Sequence, residues 1–339
     1  KQKVLDIATD KAFKDLSEKL KTPSNISIVT HVNPDGDAIG SALGLSHFLR
    51  ELDHQVSVIT PNEAPEFLQW LPGYQDVFSF DKAKDKSVQA IASSHIIFFL
   101  DFNSLSRLEE IDPYIQQSSA LRVHIDHHPE DKNWADYNFK TTKVSSTAEI
   151  IYEFIRAFPS ANDYMNKEIA ECLYSGIMTD TVNFRYNVYR RTFHILAEML
   201  DYGINMEGIH SKIYDKFSEK RMQMLGYALY KKMKVLHEYK TAYIALNQDD
   251  LEAFNYIPGD TEGFVNLPLS ITGITFSALF IEKEDKIKIS FRSKGRFAVN
   301  EFASQHFEGG GHRNAAGGSS DLSLNDTLEK FNTLVKRYQ

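Results

Sequence analysis

The sequence predicts an α/β protein whose first part is built on a parallel sheet and whose smaller second part is a separate α/β domain. Three observations carry this. Four apolar strand candidates in the first half alternate with stretches of helical spacing, the third of them is apolar at successive positions, and from about residue 237 the pattern changes to short strands with polar turns. At 339 residues the chain is also longer than one core usually organises. The boundaries read from this texture are 1–200 for the first domain, 201–236 for a helical connector and 237–339 for the second.

Taken in order, Lys1 to Lys21 reads as an amphipathic charged helix rather than a signal sequence. The apolar run Ile26 to Thr30 is the first strand candidate. The polar loop His31-Val32-Asn33-Pro34-Asp35-Gly36-Asp37 follows, and then a helical pattern from Ile39 to Leu52. Gln55 to Thr60, His95 to Leu100 and Leu121 to Ile125 are the next strands. His95 to Leu100 is apolar on both faces after its first residue, as a central strand covered by helices on both sides must be. Helical spacing returns at Thr147 to Phe158, which Pro159 ends, and at Lys167 to Met178, Thr192 to Leu200 and Glu207 to Leu236. The second domain offers strands at Thr241 to Leu246, Thr275 to Glu282 and Lys286 to Arg292. No repeats or low-complexity segments stand out.

Hydrophobic residues make up 42% of the chain, and no apolar run approaches the roughly 20 residues of a membrane-spanning helix. We therefore expect a soluble protein. The single cysteine, Cys172, excludes an internal disulfide and lies in an apolar helical pattern, which fits a core position and a reducing cytoplasm. The formal net charge of -8 argues against a partner such as a long nucleic acid, which needs many matched Lys and Arg. A small phosphorylated ligand remains compatible, provided metal ions and a few placed cations supply a local positive field.

Ligands of a parallel α/β sheet bind beyond the carboxyl ends of its strands. Those ends carry His31, Asp35 and Asp37 after the first strand, Asp101 after the third, and Asp126-His127-His128 after the fourth. Each has an ordinary reading, a turn residue or, for Asp37, a helix N-cap. Their coincidence on one edge instead suggests a dinuclear divalent-metal site, because crowded carboxylates repel unless a cation neutralises them and mixed imidazole and carboxylate ligands suit manganese. Asp180, in Thr179-Asp180-Thr181, is a further ligand candidate. Arg185 is either a phosphate contact or an ordinary salt-bridge residue. In the second domain, Arg292-Ser293 and the run Gly309-Gly310-Gly311-His312-Arg313-Asn314-Ala315-Ala316-Gly317-Gly318 read as a binding loop more readily than as a plain linker, since glycines admit a close ligand and the neighbouring His and Arg donate to anions.

These stretches resemble a known family. HVNPDGDAIGSALGL (His31 to Leu45), the strand end at Asp101, VHIDHHP (Val123 to Pro129) and MTDT (Met178 to Thr181) are similar to the four motifs of the DHH phosphoesterases. SFRSKG (Ser290 to Gly295) and GGGHRNAAGG (Gly309 to Gly318) resemble the DHHA1 domain that follows in one branch, and the compact arrangement is similar to bifunctional oligoribonucleases and 3'-phosphoadenosine 5'-phosphate phosphatases. The single-strand exonuclease branch is usually larger. The family II pyrophosphatases usually carry a Ser-Arg-Lys-Lys run that is not matched here, and the membrane-bound cyclic-dinucleotide phosphodiesterases carry transmembrane and sensory segments.

The resemblance implies two divalent ions, manganese first and magnesium or cobalt as alternatives. His31, Asp35 and Asp101 would hold one, and Asp37, Asp101, His127 and Asp180 the other, with Asp101 bridging. Asp37, Asp101, His127 and His128 would form the catalytic set, with His128 facing the phosphate and Asp126 orienting the imidazoles. Arg185, Arg292, Ser293, Gly310, Gly311, His312 and Asn314 would contact the rest of the substrate. The implied activity is hydrolysis of short oligonucleotides to mononucleotides, or of 3'-phosphoadenosine 5'-phosphate to AMP, by a water activated between two metals. Pyrophosphate, polyphosphate or dinucleotide hydrolysis, and a non-catalytic nucleotide sensor, are the competing readings. The oligomeric state is open, with a homodimer one option.

Overall fold

The structure is a computed structural model that describes residues 7–129, 133–159, 161–215 and 217–338. It divides into two compact units, residues 1–216 and 217–339. The first contains β1 (Asn25–Val29), β2 (Gln55–Thr60), β3 (Phe78–Ser79), β4 (Ile96–Leu100), β5 (Leu121–Asp126) and β6 (Tyr137–Lys140). Its helices are α1 (Lys11–Lys19), α2 (Gly36–Glu51), α3 (Lys84–Ser93), α4 (Asp112–Gln117), α5 (Thr147–Arg156), α6 (Ala161–Tyr164), α7 (Lys167–Asp180), α8 (Arg190–Leu200) and α9 (Met206–Tyr214). The start of the expected N-terminal helix, residues 1–6, lies outside the described residues.

The sheet order is β3-β2-β1-β4-β5-β6 and every neighbouring pair is parallel. The chain therefore winds outward from β1 in one direction, returns to β4 and winds outward in the other. The loops leaving β1 and β4 diverge at this switch point, the place at the carboxyl edge where such sheets bind ligands. β4 bears out the expectation of a doubly covered strand: Ile96, Phe98 and Leu100 enter the core that also holds residues of α2, α5 and α7, while Ile97 and Phe99 enter a second core with Ile111 and Ile115.

Two helices place acidic groups on this edge. Gly36, Gly40 and Gly44 recur every four residues along α2, and a side chain at Gly40 would meet the Cys172 carbonyl at 2.5 Å and the Gly176 nitrogen at 2.9 Å. The backbones of α2 and α7 thus pack in contact, with Gly36 against Thr179 and Gly44 against Leu173. This brings Asp37 at the start of α2 level with Asp180 at the end of α7. Cys172 is buried, as its apolar pattern suggests.

The second unit contains β7 (Met233–Leu236), β8 (Thr241–Leu246), β9 (Phe276–Glu282), β10 (Ile287–Ser293), β11 (Gly310–His312) and β12 (Ala315–Ser320), with α10 (Glu219–Tyr227), α11 (Gln248–Ala253), α12 (Val299–His306) and α13 (Leu324–Val335). Its sheet order is β11-β12-β10-β9-β8-β7, antiparallel except between β8 and β9. Residues 201–216 of the expected connector fall in the first unit and residues 217–236 in the second. Met224 and Ala228 bury against Ile244, Leu246, Leu279 and Ile281, so α10 is part of that unit's core, and Met233–Leu236 pairs as an edge strand rather than continuing the helix. The expected glycine loop is a β-hairpin of β11 and β12. Gly311, at φ 137°, and Gly309, whose side-chain position is taken by the Gly317 backbone, are needed for its close strand approach.

Candidate metal centre

The loop after β1 starts the site. Asp35 caps α2, its Oδ1 accepting from the Asp37 and Ala38 N–H groups at 3.1 Å each. The expected cap, Asp37, lies instead inside the first turn because α2 begins at Gly36, three residues before the expected start. Asp37 is 2% exposed, and its carboxylate meets the N-terminus of α5: Oδ2 accepts from Thr147 N–H at 2.7 Å and Oδ1 from Ala148 N–H at 2.9 Å. These are donors that the first turn of a helix leaves unsatisfied, and they stabilise a buried anion.

Asp101 follows β4 in the left-handed region, at φ 67°, a conformation that Asp tolerates better than most residues. Its Oδ1 accepts the Thr147 hydroxyl at 2.9 Å. On one side His31 Nε2 is 3.7 Å from Asp101 Oδ2; on the other His127 Nε2 is 3.5 Å from Asp101 Oδ1, 3.8 Å from Asp37 Oδ2 and 3.8 Å from Asp180 Oδ2. These separations exceed hydrogen-bond length and suit donors that share an ion rather than a proton. One ligand atom from each of His31, Asp35 and Asp101 lies within 4.8 Å of the others, and the same holds for Asp37, Asp101 and His127. Asp126 accepts from His128 through both Nδ1, at 2.7 Å, and the backbone N–H, at 3.1 Å. The pair fixes the His128 ring, with Nδ1 as the donor.

The electrostatics fit a cation. Burial, then the neighbouring Asp35, pushes Asp37 up to about 7 against the two backbone hydrogen bonds. Asp101 is raised by burial and by Asp37, and Asp180 by burial and by the same two neighbours. Burial alone would raise Asp126 as well, but its hydrogen bonds to His128 outweigh this and hold it below the ordinary carboxylate range. Burial lowers His31 and favours the neutral imidazole that a metal needs. Asp180 stands at the C-terminal end of α7, where the helix dipole disfavours an anion, and is followed by Val182, Asn183 and Phe184, all at positive φ. Crowded carboxylates, Asp37 and Asp101 buried and Asp180 at an unfavourable helix end, call for a compensating cation, and oxygen and imidazole donors suit a divalent one.

All the candidates at the strand ends meet here, with Asp180. Arg185 is exposed and stacks on Tyr186, 5.2 Å from the ring centre. In the second unit Arg292, Ser293, Gly310, Gly311, His312 and Asn314 cluster at the end of β10 and the β11–β12 hairpin. Asn314 Nδ2 donates to Ser293 Oγ at 2.8 Å and the Gly295 carbonyl at 3.3 Å, and Ser293 Oγ donates to the Phe297 carbonyl at 2.7 Å. These two side chains therefore hold the turn after β10. Arg292 is lowered by burial and faces the opposing charge of Glu262. Thr147 was missed by sequence reasoning. Ser146-x-x-Glu149 marked a helix start there, with Ser146 Oγ accepting from Glu149 N–H, but nothing local said that this start meets Asp37.

A doubly wound parallel sheet that gathers carboxylates and imidazoles at its switch point defines a metal-binding α/β protein. Residues 25–177 match the DHH family, N-terminal domain, and residues 238–338 match the DHHA1 domain. The chain belongs to the DHH family of metal-dependent phosphoesterases, in the arrangement that carries a DHHA1 domain. A crystal structure of an exopolyphosphatase-related protein from Bacteroides fragilis is 39% identical, with TM-score 0.93 and 97% of each chain covered. The probable bifunctional oligoribonuclease and PAP phosphatase NrnA of Streptococcus mutans is 29% identical over 96% of this chain and 99% of that one. Its Bacillus subtilis counterpart is 27% identical over the same shares.

Proposed function

We propose that this protein hydrolyses phosphoesters in short nucleotide substrates, taking dinucleotides to mononucleotides and 3'-phosphoadenosine 5'-phosphate to AMP. The observation that carries the reading is the cluster of His31, Asp35, Asp37, Asp101, His127 and Asp180, with His31, Asp37, Asp101 and His127 buried, in a chain that two bifunctional relatives match over nearly their whole length. His31, Asp35 and Asp101 would hold one divalent ion and Asp37, Asp101, His127 and Asp180 the other, manganese being the best match to the donors. When bound, such a pair supplies charge stabilisation at phosphorus and an acidified water. The chain's own part is orientation. The α5 N-terminus holds Asp37, the Thr147 hydroxyl holds Asp101, and Asp126 fixes the His128 ring beside the cluster, where it would face a phosphate oxygen. We assign nucleotide binding in the second unit to Arg292, Gly310 and His312.

The test offers the manganese-loaded protein a dinucleotide, 3'-phosphoadenosine 5'-phosphate, a cyclic dinucleotide, pyrophosphate, polyphosphate and a long single strand in parallel, and compares initial rates. Fastest turnover of the first two supports the reading. Polyphosphate is included because the Bacteroides fragilis relative is described as exopolyphosphatase-related. A clear preference for polyphosphate or pyrophosphate overturns the nucleotide assignment.

A further inference from the structure

Arg107 lies in the 3-10 segment Leu105–Ile111 that follows β4, and it is not one of the residues that would hold the metals. Its position is closely determined. The Ser104 carbonyl accepts the Arg107 N–H at 3.0 Å, and the Arg107 carbonyl accepts the Val32 N–H at 2.9 Å, which ties together the two loops that diverge at the switch point. The guanidinium reaches the back of His31, with Nη2 3.0 Å from Nδ1. That same Nδ1 is 2.8 Å from the Val32 carbonyl.

A carbonyl only accepts, so the contact with Val32 puts the proton on Nδ1 and leaves the lone pair on Nε2, the nitrogen that faces Asp101. The Arg107 Nη2 then meets another donor and makes no hydrogen bond there. Among the described residues Arg107 has no ion-pair partner, and its residue is exposed. A permanently charged guanidinium thus stands beside His31 at the rim of the carboxylate cluster, with no carboxylate partner among the described residues. A planar fork of N–H groups matches the oxygens of a phosphate, and the approach of an anionic substrate to an acidic crevice needs a fixed positive group at the rim.

We infer that Arg107 grips the phosphoryl oxygens of the substrate, beside the ion that His31, Asp35 and Asp101 would hold. This rests on the proposed phosphoester hydrolysis. It predicts a binding role, separate from bracing His31.

The experiment compares wild type, Arg107→Ala and Arg107→Lys, each loaded with manganese. Calorimetric titration with AMP, manganese content by elemental analysis, thermal unfolding, and kcat and KM on a dinucleotide are measured. The expected result is unchanged metal content and melting temperature in Arg107→Ala, with AMP affinity and kcat/KM each lower by about tenfold or more and partly recovered in Arg107→Lys, which keeps the charge but loses the fork. Equal AMP affinity in wild type and Arg107→Ala overturns the inference, as does loss of manganese from Arg107→Ala, which would make the residue a brace for His31. The titration does not depend on turnover. A wild type that binds AMP through Arg107 yet hydrolyses no phosphoester would reject the proposed reaction and leave the anion site standing.

Discussion

Asp101 concentrates the chemistry of the site in one side chain. Its two oxygens face His31 on one side and His127 on the other, and the Thr147 hydroxyl fixes the rotamer. Replacing it by Asn keeps the shape and removes the charge that two cations would share. Asp101→Asn is therefore expected to stay folded by circular dichroism, lose bound manganese and fall by ~10³-fold or more in kcat. A folded variant with normal turnover would sink the dinuclear reading. The same residues give a pH signature. Asp37 is raised from 3.8 to about 7, with Asp101 and Asp180 raised in the same direction. Between those values the folded chain holds more protons than the unfolded one, so metal-free stability falls as pH rises through the window. His31, His54, His124 and His306, all lowered from 6.5 by burial, contribute in the opposite sense as pH rises towards that value, and Glu153, raised by burial, adds to the carboxylates, so only above about pH 6.5 does the carboxylate contribution act unopposed. The melting temperature of the metal-free protein is expected to drop between pH 6.5 and 8, and manganese to raise it more at pH 8 than at pH 5. A metal-free melting temperature that climbs over this range would contradict the assigned burial of the carboxylates.

At the scale of elements, glycines serve two different ends. In α2 they let the helix lie against α7, so that Asp37 and Asp180 share an edge of the sheet. In the β11–β12 hairpin they divide. Gly309 is required by the fold, because a side chain there runs into the Gly317 backbone, whereas a side chain at Gly310 would meet nothing within 4 Å. Gly309→Ala is expected to destabilise the protein by roughly 1–3 kcal/mol in urea unfolding, as overpacking does. Gly310→Ala should leave the unfolding midpoint unchanged and raise KM for nucleotides, if the hairpin is where the nucleotide comes close. A Gly310→Ala variant with unaltered KM would remove Gly310 from the substrate contacts, and one that unfolds early would make it a structural glycine.

At the scale of the whole molecule, the net charge of -8 and the local placement of cations set what can bind. Arg107 and Arg185 are exposed and follow β4 and α7, Arg190 and Arg191 are exposed at the start of α8, and in the second unit Arg292 stands at the end of β10. That is enough for a phosphate or two and far short of the cationic track that a long strand needs. End-labelled strands of increasing length, at fixed salt and saturating manganese, are expected to show kcat/KM falling by about tenfold or more from dinucleotide to long strand. A rate that is flat or rises with length would move the assignment to an exonuclease acting on long chains. Among the described residues no helix is long and apolar enough to cross a membrane.

What could be read from the residues in order was the chemistry of the sheet edge. His31, Asp35, Asp101 and His127 follow recognisable strands, and strand ends of a parallel sheet share one edge whatever the order of the strands, so local pattern was enough to bring them together. The doubly covered β4 and the buried Cys172 were legible for the same reason, since alternation and apolar runs report burial. Partners far along the chain leave no such trace. That Thr147 holds both Asp37 and Asp101, that Arg107 lies behind His31, and that α2 and α7 touch at Gly40 and Gly176 depends on how helices cross. The short strands β3 and β6, the pairing of the glycine run as a hairpin and the place of α10 in the second core were decided the same way, by partners that propensity over a few residues does not name. Periodicity encodes which face of an element is buried, and only the packed fold decides what that face is buried against.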